Sequence, residues 1–346
     1  SELKKIAEIK SISLKTLKDN PKLLADLILD KSGLGYETAP KGIIPFDIEQ
    51  GKPITAIEEQ LIEADELTEG NVHFTVSEQA MGKVKALLGN KKNIQYSIQS
   101  PSTDYIAKDG DEPLRDEIGN LVFRPSGHGA LLKNLDELNA DIVFIKNIDN
   151  ILPPNKNSGS IIYKKVLGGL LIELKMQIDT FLWQLNDDPD ADLAEISGWI
   201  KTNLDPSFSS KDKSDIEKKL NRPLRVAGMV KNEGKAGGGP FWVKDKNGQS
   251  LQIVEGAQID MKNQEQVEIL NNSTHFNPVD LVCALNDFKG ERFKLTNFID
   301  PETGFDSEKD TGGKTVKIIE RPGLWNGAMS GWNTVFIEVP VSTFNP

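Results

Sequence analysis

The sequence predicts an α/β fold in which a mixed sheet is flanked by helices, followed by a part that is richer in strands. The first reason is that strand and helix patterns alternate between residues 43 and 150, which favours a layered sheet with some parallel pairing. The predicted strands of this region are 71–77, 94–100 and 141–148, and its predicted helices are 55–67 and 78–89. The run "DIVFIKNI" at 141–148 is apolar enough for burial on both faces.

The remaining elements divide the chain into three predicted domains. Residues 2–30 show helical periodicity with a break at Pro21. A long helix is predicted at 163–185, and a further helical segment, interrupted near Pro206, at 191–220. From residue 221 strand patterns predominate, with a hairpin turn at Asn247-Gly248. The expected division is a helical segment at 1–30, an α/β domain at 31–265 and a carboxyl-terminal α/β extension at 266–346.

Composition indicates which partners the protein has. The 346 residues carry a net charge of −11. Because broad binding of nucleic acid needs a basic face, this charge argues against such binding. The single cysteine fits a reducing compartment. Since the sequence shows neither a signal peptide nor an apolar run of the roughly 20 residues that span a bilayer, we expect a cytoplasmic protein that binds small molecules, without membrane or nucleic-acid partners.

Asp149 follows the apolar strand 141–148, with an asparagine on either side of the Ile-Asp pair. Ligands of open α/β sheets bind at the carboxyl ends of strands, where a carboxylate can hold a hard divalent cation together with substrate phosphates. The simpler interpretation is an Asx turn that ends the strand. The segment alone favours the turn slightly.

The stretch "PSGHG" ends a strand and opens a helix, with His128 between Gly127 and Gly129. Glycines let backbone N–H groups approach a ligand, and the amino end of a helix favours anions. A plain strand-to-helix turn is the alternative. The combination of the Gly-His-Gly stretch with Asp149, some twenty residues later, favours a nucleotide site.

Three further positions carry weaker signals. Lys41 lies in the constrained loop "APKGIIPF", and Lys231 precedes a glycine cluster that could cradle phosphate or serve as a linker. Glu255 ends a strand, where it could accept hydrogen bonds from a sugar or simply face solvent. Four better-known motifs do not fit the sequence. "TGGKT" lacks the first glycine of a P-loop, and no Rossmann fingerprint occurs. "GAMSGW" does not fit a nucleophile elbow, and three histidines that lie far apart argue against a structural zinc site.

Together these motifs resemble UDP-sugar pyrophosphorylases, which carry a Gly-His-Gly or Gly-Asn-Gly turn followed by a strand that ends in Asp-Asn. The segments "PKG", "IQSPSTDYIAKDG", "QIVEGAQID" and "STHFNPVDL" continue the similarity in the same order. Longer stretches, among them "FRPSGHGALLKNL", "NRPLRVAGMVKNEG" and "PGLWNGAMSGWNTVFIEVP", resemble a bacterial family known as domain of unknown function 4301.

The resemblance implies a glycosyltransferase-A-like (nucleotide-diphospho-sugar transferase) fold and magnesium-dependent transfer of a nucleotidyl group to a sugar 1-phosphate. It assigns four kinds of role to residues of this sequence. The catalytic residues are Lys41 and Lys231, the nucleotide-binding ones Gln99, Gly127, His128 and Gly129, the sugar-binding ones Asn147, Glu255 and His275, and the Mg²⁺ ligand is Asp149. The substrates would be a nucleoside triphosphate and a sugar 1-phosphate.

One departure keeps alternatives open. The pyrophosphorylases grip the triphosphate with a glycine-rich loop that ends in arginine, whereas the residues before Lys41 offer only "GLGYETAP" after a helix. A non-catalytic protein that binds nucleotide sugars is therefore one alternative. A glycosyltransferase is another, although no second aspartate lies two positions from Asp149.

Overall fold

The computed structural model describes residues 2–89, 93–148, 150–234, 238–245, 248–311, 314–324 and 326–345. The chain divides into two compact units. The first comprises Ser1–Ile98, Asn147–Ile162 and Phe344–Pro346, and the second comprises Gln99–Lys146 and Tyr163–Thr343. Strands on both sides of residue 265 share one sheet in the second unit, and the predicted domain division at residues 30 and 265 stays a prediction.

The first unit contains helices and two separate strand pairs. Its elements are α1 (Glu2–Lys10), α2 (Leu14–Asp19), α3 (Pro21–Leu29), β1 (Pro45–Glu49), β2 (Lys52–Thr55), α4 (Ala56–Leu67), β3 (Val72–Val76), α5 (Glu78–Leu88) and β4 (Ile94–Ile98).

Helices α1 to α3 form a small cluster around buried Ile6, Leu17 and Leu27. The predicted break lies at Asn20, whose side-chain oxygen accepts a hydrogen bond from the N–H of Leu23 and so caps α3. Pro21 is the first residue of α3, a position at which its missing N–H costs nothing. The helical prediction for residues 2–30 is confirmed.

A strand-helix-strand segment follows α4 in the first unit. β3 and β4 pair in parallel, and α5 connects them. Helix α4 starts at a capping box, in which Thr55 and Glu58 bond each other's backbone N–H groups. Apolar side chains of α4, α5 and β3 form one core, to which Ile43 and Ile148 also contribute.

The second unit is built on a mixed sheet. Its elements are β5 (Tyr105–Ile106), β6 (Lys108–Asp109), β7 (Glu112–Pro113), β8 (Phe123–Arg124), α6 (Leu131–Asp136), β9 (Ile142–Ile145), α7 (Ser158–Asp187, from Tyr163 onward), α8 (Leu193–Asn203), α9 (Lys213–Leu220), β10 (Leu224–Lys231), β11 (Gly239–Asp245), β12 (Gly248–Val254), α10 (Gln264–Asn271), β13 (His275–Ala284), β14 (Phe305–Thr311), β15 (Lys314–Glu320) and β16 (Asn333–Glu338).

The main sheet has the strand order β16-β10-β13-β9. β10 pairs in parallel with β16 and antiparallel with β13, and β9 pairs antiparallel with β13. One face of the sheet packs on α6 and on the segments around Leu295 and Trp332. On the other face, Leu167 of α7 packs over Gly228 of β10. A Cβ added at Gly228 would lie 3.0 Å from Cδ1 of Leu167. The predicted fold class, a mixed sheet flanked by helices with β-rich carboxyl-terminal sequence, is confirmed.

β9 differs from its prediction. The strand ends at Ile145, and it lies at the edge of the sheet rather than inside it. Ile142 is 37% exposed and the rest of the strand is half-buried, so the expectation of burial on both faces is wrong. An edge position explains this, because such a strand has a neighbour on one side only.

The smaller sheets of the second unit are antiparallel. β14 and β15 join β6 and β7 in one of them. β11 and β12 form a hairpin whose register brings Asp245 opposite Gly248. Asn247, part of the predicted hairpin turn, lies outside the described residues. Over the part of the chain that the structure describes, the helices include none with the length and apolarity needed to cross a membrane.

Candidate functional site

The Gly-His-Gly turn packs against the segment that follows β15. The backbone N–H of Gly127 donates a hydrogen bond to Oε2 of Glu320 at 3.1 Å. A Cβ on Gly127 would lie 2.5 Å from that oxygen, and a Cβ on Gly129 would lie 2.3 Å from the carbonyl oxygen of Pro322. Gly129 is therefore required by close packing against backbone, whereas a methyl group on Gly127 would displace only the end of the Glu320 side chain.

His128 is fixed by hydrogen bonds at both ring nitrogens. Its Nδ1 accepts a hydrogen bond from the backbone N–H of Leu324 at 2.8 Å, so this nitrogen is unprotonated. Its Nε2 lies 2.8 Å from Oε1 of Glu255 and donates to it. The hydrogen-bond network thus assigns the neutral ring to the Nε2–H tautomer. The side chain is 31% exposed, which leaves part of the ring open to solvent.

Glu255 accepts three hydrogen bonds, from groups in three separate segments. Besides His128, the side-chain Nδ2 of Asn326 donates to its Oε1 at 3.2 Å, and the backbone N–H of Gln258 donates to the carboxylate. Gln258 returns the contact, since its Oε1 accepts from the N–H of Glu255 at 2.9 Å. These donors hold the carboxylate toward His128.

Gln258 connects this cluster to the neighbouring segment. Its Oε1 also accepts from Nδ2 of Asn326 at 2.9 Å, and its Nε2 donates to the carbonyl oxygen of Thr303 at 3.0 Å. We call the four side chains of His128, Glu255, Gln258 and Asn326 the His128 cluster.

Gln99, predicted to bind the nucleotide, supports the turn from the other side. Its Nε2 donates to the carbonyl oxygen of Ser126 at 2.9 Å, and the hydroxyl of Ser126 in turn donates to the carbonyl oxygen of Thr103. Gln99 thus orders the residue that precedes Gly127.

Lys231 and His275 meet at the carboxylate of Glu338. The Nζ of Lys231 lies 3.4 Å from Oε1, and Nε2 of His275 lies 3.1 Å from Oε2. The hydrogen bond from His275 and the charge of Lys231 lower the pKa of Glu338. The three side chains come from the ends of β10, β13 and β16, and Lys231 is 67% exposed, so its amine can move to a ligand.

We call the side chains of Lys231, His275 and Glu338 the Glu338 group. Two glycines bring it close to the His128 cluster. An added Cβ on Gly238 would lie 2.9 Å from Cα of Glu255, and one on Gly239 would lie 2.7 Å from the carbonyl oxygen of His275. Glu255 and His275 therefore flank the same dipeptide. The structure brings together seven of the residues predicted for the site: Gln99, Gly127, His128, Gly129, Lys231, Glu255 and His275.

A cavity of about 520 Å³ opens beside the turn. Gly129, Glu320, Tyr105 and Arg321 are among its lining residues. Burial raises the pKa of the Tyr105 hydroxyl, and the guanidinium of Arg321 lies 5.6 Å from the centre of its ring. The volume is in the range of small-molecule sites, roughly 300–1,000 Å³.

The other predicted residues belong to the first unit. Lys41 is exposed and opens a short 3₁₀ turn, and an added Cβ on the next residue, Gly42, would lie 3.2 Å from Cδ1 of Ile148. Asn147 is exposed, and its carbonyl oxygen accepts from Nε2 of Gln60 at 2.9 Å. The "PKG" loop thus lies next to the residue that precedes Asp149. Asp149, the predicted magnesium ligand, lies outside the described residues, and within the described ranges no group of three or more His, Cys, Asp or Glu could hold a metal ion.

The sequence did not reveal Gln258, Glu320, Asn326 or Glu338. Only Gln258 left a signal, because glutamate followed three positions later by glutamine is the spacing of a capping box. The other three act through contacts with residues far away in the chain.

A family model described as "Domain of unknown function (DUF4301)" matches residues 2–346. The chain belongs to the DUF4301 family. Among curated proteins, nothing matches this DUF4301 chain.

Solved structures share its fold. The UDP-N-acetylglucosamine pyrophosphorylase of Trypanosoma brucei in complex with an inhibitor superposes with a TM-score of 0.50 at 13% identity, over 89% of this chain and 58% of that one. The UDP-glucose phosphorylase of the same organism gives 0.49 at 14% identity, with coverages of 89% and 58%. A mutant UDP-glucose pyrophosphorylase of Leishmania major in complex with UDP-glucose gives 0.46 at 16%, with coverages of 88% and 59%. The DUF4301 chain thus spans about three fifths of the length of these structures, and the likeness concerns the fold.

Proposed function

We propose that the DUF4301 chain is a nucleotidyltransferase that transfers the nucleotidyl group of a nucleoside triphosphate to a sugar 1-phosphate and releases pyrophosphate, in the manner of UDP-sugar pyrophosphorylases. The observation that carries the proposal is the 2.8 Å contact between His128 and Glu255. The resemblance assigns these residues to the base and to the sugar of one nucleotide sugar, so their contact fits a single ligand site.

The base would bind at the Gly-His-Gly turn. Both ring nitrogens of His128 already have partners, so the ring can offer a base its partly exposed face rather than a hydrogen bond. The adjoining cavity has room for a ring system and an apolar wall that includes Leu132 and Ile299.

The sugar and its phosphate would bind near the Glu338 group. His275 and Glu255 flank Gly238 and Gly239, whose lack of side chains leaves the backbone open to close approach. Lys231 supplies a mobile positive charge for the phosphate of the sugar or the α-phosphate. Lys41 and Asn147 belong to the first unit, and their proposed contacts with phosphate and sugar rest on the resemblance to UDP-sugar pyrophosphorylases.

The chemistry is an in-line displacement at phosphorus. A phosphate oxygen of the sugar 1-phosphate forms a bond to the α-phosphorus, and the bond from that phosphorus to the bridging oxygen of pyrophosphate breaks. The protein needs to position the two substrates and to neutralise charge, and it forms no covalent intermediate. Lysine side chains at the phosphates fit this need.

Asp149 is the proposed ligand of Mg²⁺. A magnesium ion binds through one or two carboxylates plus substrate phosphates, so a single aspartate fits its chemistry. When bound, the ion would supply further charge neutralisation at the phosphates.

A second candidate is non-catalytic binding of a nucleotide sugar. The described residues from 2 to 40 form helices α1 to α3 and turns, whereas the resemblance expects a glycine-rich loop ending in arginine before the lysine motif. Binding of UDP-glucose without any turnover would select this candidate.

The test is pyrophosphate release from a panel of nucleoside triphosphates and sugar 1-phosphates, with Mg²⁺ and with a chelator. We expect Mg²⁺-dependent release that falls at least tenfold in Lys231→Met and in Asp149→Ala, and that is unchanged in Lys201→Met, which removes an exposed lysine of α8. Full activity in Asp149→Ala would remove the metal role, and release of no pyrophosphate with any pair would remove the enzymatic proposal.

A further inference from the structure

Asn326 is a buried amide whose hydrogen bonds are incomplete. Asn326 is only 1% exposed, and its Nδ2 donates hydrogen bonds to both Glu255 and Gln258. Its Oδ1 is buried without a hydrogen-bond partner among the described residues. Burial of an unpaired amide oxygen is unfavourable, and the two hydrogen bonds that Nδ2 donates are what offsets this cost. The cost points to a role for the amide N–H groups.

The surroundings of Asn326 show what that role is. Oδ1 of Asn326 and Cε1 of His128 crowd the same point beside Gly323, at 2.0 and 2.3 Å from the position that a Cβ there would take. Asn326 therefore packs directly beside the imidazole while its Nδ2 holds the carboxylate that the imidazole donates to. It touches both members of the pair.

The orientation of Nδ2 follows from its partners. Oε1 of Glu255 and Oε1 of Gln258 are both acceptors, since each also accepts from an N–H group. A flipped amide would put an oxygen against two oxygens, so the assignment of Nδ2 is determined by the network.

We propose that Asn326 is the positioning residue of the His128 cluster: it directs the Glu255 carboxylate toward Nε2 of His128 and so keeps the imidazole in one tautomer and one orientation for the base of the nucleotide. The last clause rests on the proposed function, while the effect on the imidazole does not. A carboxylate held by donors on several sides keeps a neighbouring histidine fixed in this way.

Asn333 provides a matched control. It is also 1% exposed, its Nδ2 donates to the carbonyl oxygens of Lys219 and Leu220, and its Oδ1 is likewise buried without a partner among the described residues. Asn333→Leu and Asn326→Leu remove equivalent groups from the same unit. A difference between the two variants in the behaviour of the His128 ring therefore reports the contact of Asn326 with the His128 cluster, because both variants lose a buried amide.

The experiment is ¹⁵N NMR of the histidine rings in the full chain, with the three histidines assigned by His128→Gln. In the wild type we expect His128 to show a single Nε2–H tautomer and slow exchange of that proton with water. In Asn326→Leu we expect exchange to become at least tenfold faster and the tautomers to mix, with the rings of His73 and His275 unchanged; in Asn333→Leu we expect the wild-type pattern at His128. Identical His128 spectra in the two variants would overturn the proposal.

Two additions keep the outcome decisive. If Asn326→Leu does not fold, Asn326→Asp keeps the shape, replaces the donor with an acceptor and carries the same expectation. Calorimetry with UDP-glucose then tests the link to function: we expect the Kd to rise about tenfold in Asn326→Leu and not in Asn333→Leu. Absence of binding to the wild type would refute the proposed function, and the ring spectra would still decide the role of Asn326.

Discussion

The imidazole of His128 donates a hydrogen bond to the carboxylate of Glu255 across 2.8 Å, although the two residues come from a turn before α6 and from the end of β12. This contact joins two segments that sequence analysis treats separately. Because Glu255 also accepts from Asn326 and Gln258, the pair is held from several directions. It is the centre of the candidate site.

The first prediction concerns Glu255. Glu255→Gln keeps the shape but leaves one acceptor oxygen for three donors, so at least one of these partly or fully buried donors loses its partner. We expect the free energy of unfolding to fall by about 1–3 kcal/mol in urea titrations. Glu268→Gln, at an exposed position of α10, should change it by less than about 0.5 kcal/mol. Equal effects of the two substitutions would mean that the cluster contributes nothing to stability.

The second prediction separates the two glycines of the turn. Gly129→Ala places a methyl group against the backbone of Pro322, which cannot move alone, whereas Gly127→Ala meets only the side-chain tip of Glu320. We expect Gly129→Ala to cost about 3 kcal/mol of stability or more and Gly127→Ala clearly less. Gly198→Ala, in α8 with open space around it, should stabilise by up to about 1 kcal/mol. The reverse order for the two turn glycines in urea unfolding would contradict the packing described here.

The third prediction concerns a buried ion pair between α7 and the main sheet. Nζ of Lys164 lies 3.0 Å from Oδ2 of Asp280, and both side chains are nearly inaccessible to solvent. Lys164→Met alone leaves a buried carboxylate without its cation and should cost about 3–5 kcal/mol. Lys164→Met combined with Asp280→Leu should recover most of that loss. A double variant as unstable as the sum of the two single ones would show that the pair is not coupled.

The fourth prediction concerns the dependence of stability on pH at Glu338. Its pKa is lowered in the folded state because His275 donates a hydrogen bond to it and Lys231 lies nearby. A carboxyl group whose pKa is lowered on folding contributes stability that is present at pH values above its ordinary pKa, 4.5. This contribution is lost as the pH falls through the pKa of the folded state. The urea midpoint of the wild type should therefore exceed that of Glu338→Gln near neutral pH, and the difference should vanish in acid. A difference that persists unchanged at low pH would assign it to packing.

Much of the fold was predictable because its signals are local. Helix α5 and strands β3 and β4 follow from short-range periodicity, and the cap at Asn20 follows from an asparagine before Pro21. The edge position of β9 was not predictable, because it depends on which strands pair, and the partner β13 lies far along the chain. Its apolar sequence is equally compatible with an inner strand.

The candidate site was predictable in part. The Gly-His-Gly turn and Glu255 were recognised as short motifs, but nothing in either motif shows that they bond each other. Asn326 lies in a glycine-rich segment with no pattern of its own, and its importance is evident only from the two acceptors it reaches. Glu338 ends a strand, as many surface glutamates do, and its role depends on the neighbouring ends of β10 and β13.

The most direct test of the account is calorimetric titration of the full chain with UDP-glucose. We expect binding to the wild type that weakens at least tenfold in His128→Ala, because the ring would contact the base, and that is unchanged in His73→Ala, a histidine of β3. Binding of equal strength in His128→Ala, or no binding of UDP-glucose or any other nucleotide sugar, would contradict a nucleotide site at the Gly-His-Gly turn.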